Sequence, residues 1–189
     1  RHCRQFGDGP RANWQYSRPV SRESPYLRRA DESLRVALVT GACSGIGQAL
    51  AHKLGALGYE LVIVSQRPAE LAAVGAELAA AYGARVHAIV LDLARPDAAE
   101  ELELATQARG LAVDILVNNA GFFFFGEAAD APLPRARAML GLHVVTPSLL
   151  CSRFARQMRA RRRGHILIVS SFFACWDFFG ISYYNASKK

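Results

Sequence analysis

The chain has 189 residues, a formal net charge of +7 and an apolar content of 51%. An apolar half excludes wholesale disorder, a collagen-like repeat and a disulfide miniprotein, and the length suits one domain with a substantial core. The positive charge rests on 20 Arg and only 3 Lys (Lys53, Lys188, Lys189) in an Ala-rich chain, a compositional bias that argues little for a nucleic-acid partner.

Residues 1–33 hold seven Arg and three Pro and no periodic apolar pattern. They are expected to form a disordered or loosely attached Arg-rich leader; Asp8, Glu23, Asp31 and Glu32 argue against a transit peptide. Cys3, Cys43, Cys151 and Cys175 stand far apart without CxxC or Cys/His spacing. Neither structural disulfides nor a metal is therefore expected, and the compartment expected is the cytoplasm. No apolar run reaches the roughly 18 residues of a membrane span, and the leader lacks the apolar stretch of a secretory signal.

From Leu34 onward strands and helices alternate. The β-branched run Arg35–Thr40 predicts a first strand, and a Gly-rich turn leads into a helix over about Ile46–Leu57. Glu60–Ser65 predicts a second strand, and the Ala/Leu/Glu stretch Ala69–Tyr82 a second helix. A third strand over Arg85–Leu91 precedes a helix over Pro96–Ala108. Asp114–Asn118 predicts a fourth strand, Pro134–Arg161 one long helix, and His165–Ser170 a fifth strand. Near-continuous apolar strands joined by helical crossovers describe a parallel sheet buried on both faces, a doubly wound α/β architecture of the Rossmann type. The expected domain covers residues 34–189.

The turn after the first strand reads Thr40-Gly41-Ala42-Cys43-Ser44-Gly45-Ile46-Gly47. A dinucleotide pyrophosphate needs close backbone approach, which glycines permit, and a helix N-terminus, whose free N–H groups and dipole favour negative charge. Downstream, Asn118-Asn119-Ala120-Gly121 follows the fourth strand, and Tyr184 and Lys188 are spaced i, i+4 so that both face one side of a helix.

With these three motifs in this order, the stretch from Arg35 to Lys189 resembles the short-chain dehydrogenase/reductase family. The resemblance implies a cofactor cradle of Gly41, Ser44, Gly45, Ile46 and Gly47. Asp92 is implied at the adenine, Asn119, Ala120 and Gly121 at the ribose, and Tyr184 and Lys188 at the nicotinamide end. Asn118 would brace neighbouring strands. The second strand ends Ser65-Gln66-Arg67, without the acid that would hold an NAD 2′-hydroxyl. Arg67 offers a fork of donors to a 2′-phosphate, so NADP is expected over NAD.

For catalysis the resemblance implies Ser171, Tyr184 and Lys188. A phenol titrates near ~10 in water, too high for a base at neutral pH, and a nearby ammonium favours its anion. Tyr183 lacks a Lys four residues on. Ser171 would hydrogen-bond the substrate oxygen, and Ser170 would bond backbone at the strand end. His143 occupies the position where the family usually has an Asn organising a water-linked proton relay to the Lys. It either substitutes or marks weakened catalysis, and it stays outside the expected catalytic set.

The expected function is NADP(H)-dependent interconversion of a carbonyl and a secondary alcohol on a small molecule; the alternative is a nucleotide-binding or interaction fragment without turnover. Phe122–Phe125, Phe172, Phe173, Trp176, Phe178 and Phe179 follow the fourth and fifth strands. They form either an apolar substrate wall or packing and subunit contacts. The six Arg between Arg153 and Arg163 end a helix, where cations complement the dipole, so no nucleic-acid partner is expected. By family resemblance the domain is incomplete at its C-terminal end, one residue past Lys188, and the full-length protein is expected to be a homo-oligomer.

Overall fold

A computed structural model describes residues 35–189; the leader expected at 1–33 lies outside the described residues. The elements are β1 (Val36–Thr40), α1 (Gly45–Ala56), β2 (Glu60–Ser65), α2 (Pro68–Tyr82), β3 (Val86–Val90) and α3 (Ala98–Gln107). They continue with β4 (Val113–Asn118), α4 (Leu133–Leu140), α5 (Thr146–Ala160), β5 (His165–Ile168) and α6 (Ser182–Lys188). The five strands are parallel in the order β3-β2-β1-β4-β5. Chain progression reverses between β1 and β4, and in open α/β sheets the crevice at such a switch point takes ligands.

Two apolar layers follow from the alternation of side chains along the strands. Val36, Leu38, Val62, Val64 and Leu116 pack with Leu102 of α3 and Leu150, Phe154 and Met158 of α5. Ala37, Val39, Leu61, Ile63 and Val117 face the other way, onto Ala51 and Leu54 of α1 and Leu71, Val74 and Leu78 of α2. β1 and β2 are buried throughout, as expected for central parallel strands. The edge strands depart from that expectation. β3 is only partly buried, and every residue of β5 is exposed; among the described residues both are edge strands.

The long helix also departs from prediction. A π-helical turn over Gly141–Val145 separates α4 from α5. By length and composition alone Leu133–Ala160 would suffice to cross a membrane. In the fold, Thr146, Leu150, Phe154 and Met158 of α5, four residues apart, are buried, the stripe of a core helix packed on a sheet. The Arg-rich end of α5 is largely used internally. Arg153 pairs with Glu103, Arg161 donates to the Val113 carbonyl, and Arg163 forks onto the buried Asp114.

Candidate active site

The Gly-rich turn and the loop after β4 meet at the switch point. Gly41 has φ +66°, a left-handed conformation that favours glycine. A Cβ on Gly47 would lie 2.3 Å from the Gly41 carbonyl oxygen, so α1 begins pressed against the turn that precedes it. Thr40 holds the two loops together. Its Oγ1 donates to the Val117 carbonyl (3.1 Å) and accepts from the N–H groups of Asn119 (2.9 Å) and Ala120 (3.0 Å). The Asn119 amide returns the contact by donating to the carbonyls of Thr40 (3.0 Å) and Gly41 (3.2 Å). The motif includes Thr40 but assigns it no role; the structure makes it the hydrogen-bonding hub between the two loops.

The result is a cleft of about 530 Å³ lined by Gly41, Ser44, Ile46, Ser65, Gln66, Arg67, Asp92, Asn119, Ala120, Gly121 and Phe122, among others. Seven of the expected cofactor residues (Gly41, Ser44, Ile46, Asp92, Asn119, Ala120, Gly121) therefore share one surface, and Arg67 makes an eighth. Gly45 and Gly47 shape the turn without lining the cleft. The α1 N-terminus carries no side-chain cap from Ser44, so its first N–H groups point free of that hydroxyl, as an anion site requires. Ser44 Oγ instead accepts from Arg67 Nη2 at 3.3 Å, and Arg67 Nη1 lies 3.4 Å from Glu70. Ser44 and Arg67 thus bring hydroxyl and guanidinium together beside the end of β2. Asp92 Oδ1 accepts from the Ala94 N–H at 2.9 Å, which orients its carboxylate at the rim. These residues fit a dinucleotide of the NAD(P) class: glycine where a side chain would collide, helix N–H groups, and an arginine on the cleft wall beside the end of β2.

Asn118 bridges strands through its backbone: its carbonyl accepts from the Val169 N–H at 2.9 Å, beside β5. Its side chain goes elsewhere; Nδ2 donates to Cys151 Sγ on α5 at 3.3 Å, and Oδ1 is buried without a protein partner.

Tyr184 and Lys188 lie outside the cleft lining, on α6. The Lys188 ammonium sits 5.9 Å from the Tyr184 ring centroid and donates to the Val169 carbonyl (3.2 Å), and burial lowers its pKa. Ser170 Oγ donates to the Lys188 carbonyl at 2.9 Å, the backbone role expected of it, here tying β5 to α6. Ser171 Oγ accepts from the Phe173 N–H (3.3 Å), starting the short 3₁₀ turn Phe172–Ala174. That turn presents Phe173 edge-on to Tyr184 at 6.3 Å, and Phe123 meets the same ring edge-on at 5.1 Å. Along Phe122–Phe125 the side chains alternate: Phe124 is buried, whereas Phe123 and Phe125 are exposed. Tyr183 packs against Phe124 instead of facing Lys188.

These observations define a dinucleotide-binding α/β domain with a tyrosine–lysine helix beside its switch point. The sequence pattern of the short chain dehydrogenases matches residues 35–189, and the chain belongs to that family. It is 35% identical over 159 residues to an "Uncharacterized oxidoreductase" of Myxococcus xanthus, covering 84% of this chain and 62% of that protein. It is 31% identical to a 7beta-hydroxysteroid dehydrogenase of Collinsella aerofaciens, covering 71% of this chain and 50% of the relative. Among solved structures, a metagenomic short-chain oxidoreductase in complex with NADP superposes with TM-score 0.76 at 36% identity, covering 82% of this chain and 70% of that one. The chain spans about half to three-fifths the length of these two curated relatives.

Proposed function

We propose that this chain provides the nucleotide cradle and acid–base group of an NADP(H)-dependent oxidoreductase that interconverts a carbonyl and a secondary alcohol. The observation that carries the reading is the cleft at the β1/β4 switch point, with Arg67 in contact with Ser44 on its wall beside the end of β2 and no acid closing that strand. The NADP bound to the metagenomic relative supports the same cofactor. Bound NADPH supplies the hydride to the carbonyl carbon.

The chain's own residues handle binding and the proton. Gly41, Ser44 and Ile46 receive the pyrophosphate on a turn that Gly45 and Gly47 shape, Asp92 meets the adenine, and Asn119, Ala120 and Gly121 line the ribose. Tyr184 Oη gives its proton to the substrate oxygen during reduction and takes it back during oxidation. The Lys188 ammonium supports the phenolate left behind. Ser171 Oγ already accepts from the Phe173 N–H, so its own hydrogen is the one available to the substrate oxygen. Phe123 and Phe173, edge-on to Tyr184, make an apolar substrate the better fit, consistent with the steroid substrate named for the Collinsella relative.

The test is NADPH oxidation against a panel of small and bulky ketones, with Tyr184→Phe as control. Turnover abolished by Tyr184→Phe supports the proposal. Tight NADPH binding with no turnover of any ketone would sink it in favour of a nucleotide-binding chain.

A further inference from the structure

His143 is buried, with 8% exposure, in the π-helical turn between α4 and α5, while its neighbours Val144 and Val145 face outward. Two hydrogen bonds engage its ring, and a third continues from Ser187 to Tyr184. The Phe122 N–H donates to Nε2 at 3.0 Å, Nδ1 lies 2.9 Å from Ser187 Oγ, and Ser187 Oγ lies 2.8 Å from the Tyr184 carbonyl oxygen. A backbone N–H can only donate, so Nε2 carries no hydrogen. A carbonyl can only accept, so the single Ser187 hydroxyl hydrogen goes to Tyr184. Nδ1 must then supply the remaining hydrogen. One protonation state satisfies all three contacts: neutral imidazole with the proton on Nδ1.

Packing enforces the same arrangement. A Cβ on Gly121 would fall 2.8 Å from His143 Nε2, so residue 121 must be glycine for the imidazole to reach the Phe122 amide. The imidazole also meets the Tyr184 ring edge-on at 5.7 Å. Burial first, and the Lys188 charge second, lower the imidazole pKa to about 4, which keeps the ring neutral near physiological pH.

We propose that His143 is a positioning residue: it splints the loop after β4 to α6 through Ser187 and thereby holds the Tyr184 ring beside that loop, where it meets Phe123, without itself relaying a proton. The proposal rests on Tyr184 being the proton donor. It differs from a relay because both ring nitrogens are engaged in contacts that lead to backbone groups, and a change of protonation would turn Nε2 into a donor facing the Phe122 N–H. It also gives Ser187 a role, as the link between imidazole and the Tyr184 backbone.

Long-range proton–nitrogen correlation of the His143 ring in the intact chain, at neutral pH, tests the splint directly. The expected ring is neutral and Nδ1-protonated; an Nε2-protonated or charged ring overturns the proposal. His143→Gln places an amide oxygen near the Nε2 position and should keep the Phe122 amide protected, whereas His143→Ala should speed its exchange about tenfold or more. Exchange indifferent to His143→Ala also overturns it. In kinetics at saturating ketone, Ser187→Ala should lower kcat about tenfold while the NADPH Kd moves less than about twofold, since misplacement of a reacting group acts on the chemical step. An unchanged kcat refutes positioning. Should the parent chain reduce no ketone, the oxidoreductase reading fails, and the ring measurement still decides the splint.

Discussion

Replacing Gly47 by alanine tests the cofactor cradle most sharply. The added Cβ would sit 2.3 Å from the Gly41 carbonyl oxygen, 2.9 Å from the Gly41 carbonyl carbon and 2.4 Å from Asn119 Nδ2. Ordinary contact between non-bonded heavy atoms is about 3.5 Å, so the start of α1 and the Gly41 turn must separate by roughly 1 Å. That separation strains the Asn119 bonds to Thr40 and Gly41, the contacts that join the two loops. Overpacking of this kind costs about 1–3 kcal/mol, and the same misalignment weakens NADPH binding roughly 10–100-fold where each 1.4 kcal/mol is tenfold. The control is Gly75→Ala in α2, where the new Cβ meets Ile63 Cδ1 at an ordinary 3.5 Å. It should stabilise the chain by about 0.4–1 kcal/mol and leave NADPH affinity unchanged. Calorimetric titration with NADPH and thermal unfolding give both numbers. A Gly47→Ala protein that binds NADPH like the parent would refute the close-approach reasoning.

Arg67→Ala should weaken NADPH about tenfold or more by removing a charge-assisted contact and leave NADH nearly unchanged; equal losses for both would exclude Arg67 as the 2′-phosphate ligand. Arg163→Ala leaves the buried Asp114 carboxylate without its fork and should cost about 3–5 kcal/mol in denaturant unfolding, whereas a loss below about 1 kcal/mol would show that the pair is dispensable. The His143 imidazole, lowered from 6.5 to about 4 by burial and by Lys188, binds fewer protons folded than unfolded between those values. Stability should therefore fall as pH drops from about 6.5 toward 4, and His143→Gln should flatten that slope; parallel slopes for parent and variant would refute a neutral buried ring. Phe154→Ala, in the layer between the sheet and α5, should cost about 3–5 kcal/mol by chemical denaturation.

Much of the scaffold was legible because its signals are local. Apolar runs bounded by turns marked β1 to β5, and the Gly-rich turn marked where β1 hands over to α1, since neither needs a distant partner to be recognised. The exposure of β5 was not legible: His165–Ile168 reads as apolar as β1, yet all four residues are exposed at the sheet edge, and face coverage depends on which elements pack there. The π-helical turn in the predicted long helix was equally silent, because Met139–Pro147 satisfies helical periodicity with or without an extra residue in one turn.

Sequence alone determined the class of fold, the family and the candidate residues of the cleft, because the Gly-rich turn at a helix N-terminus and the later motifs are each local patterns along the chain. Tertiary structure decided what those residues touch. It set Thr40 and Asn119 as the rivet between loops 79 residues apart, sent Asn118 to Cys151, and spent Arg153 and Arg163 on Glu103 and Asp114. It also made His143 the junction between the β4 loop and the helix bearing Tyr184, 44 residues from Ser187 along the chain. Hydrogen bonds and close contacts at such separations depend on where the sheet and helices place their ends in space, and no periodicity in the sequence encodes that placement.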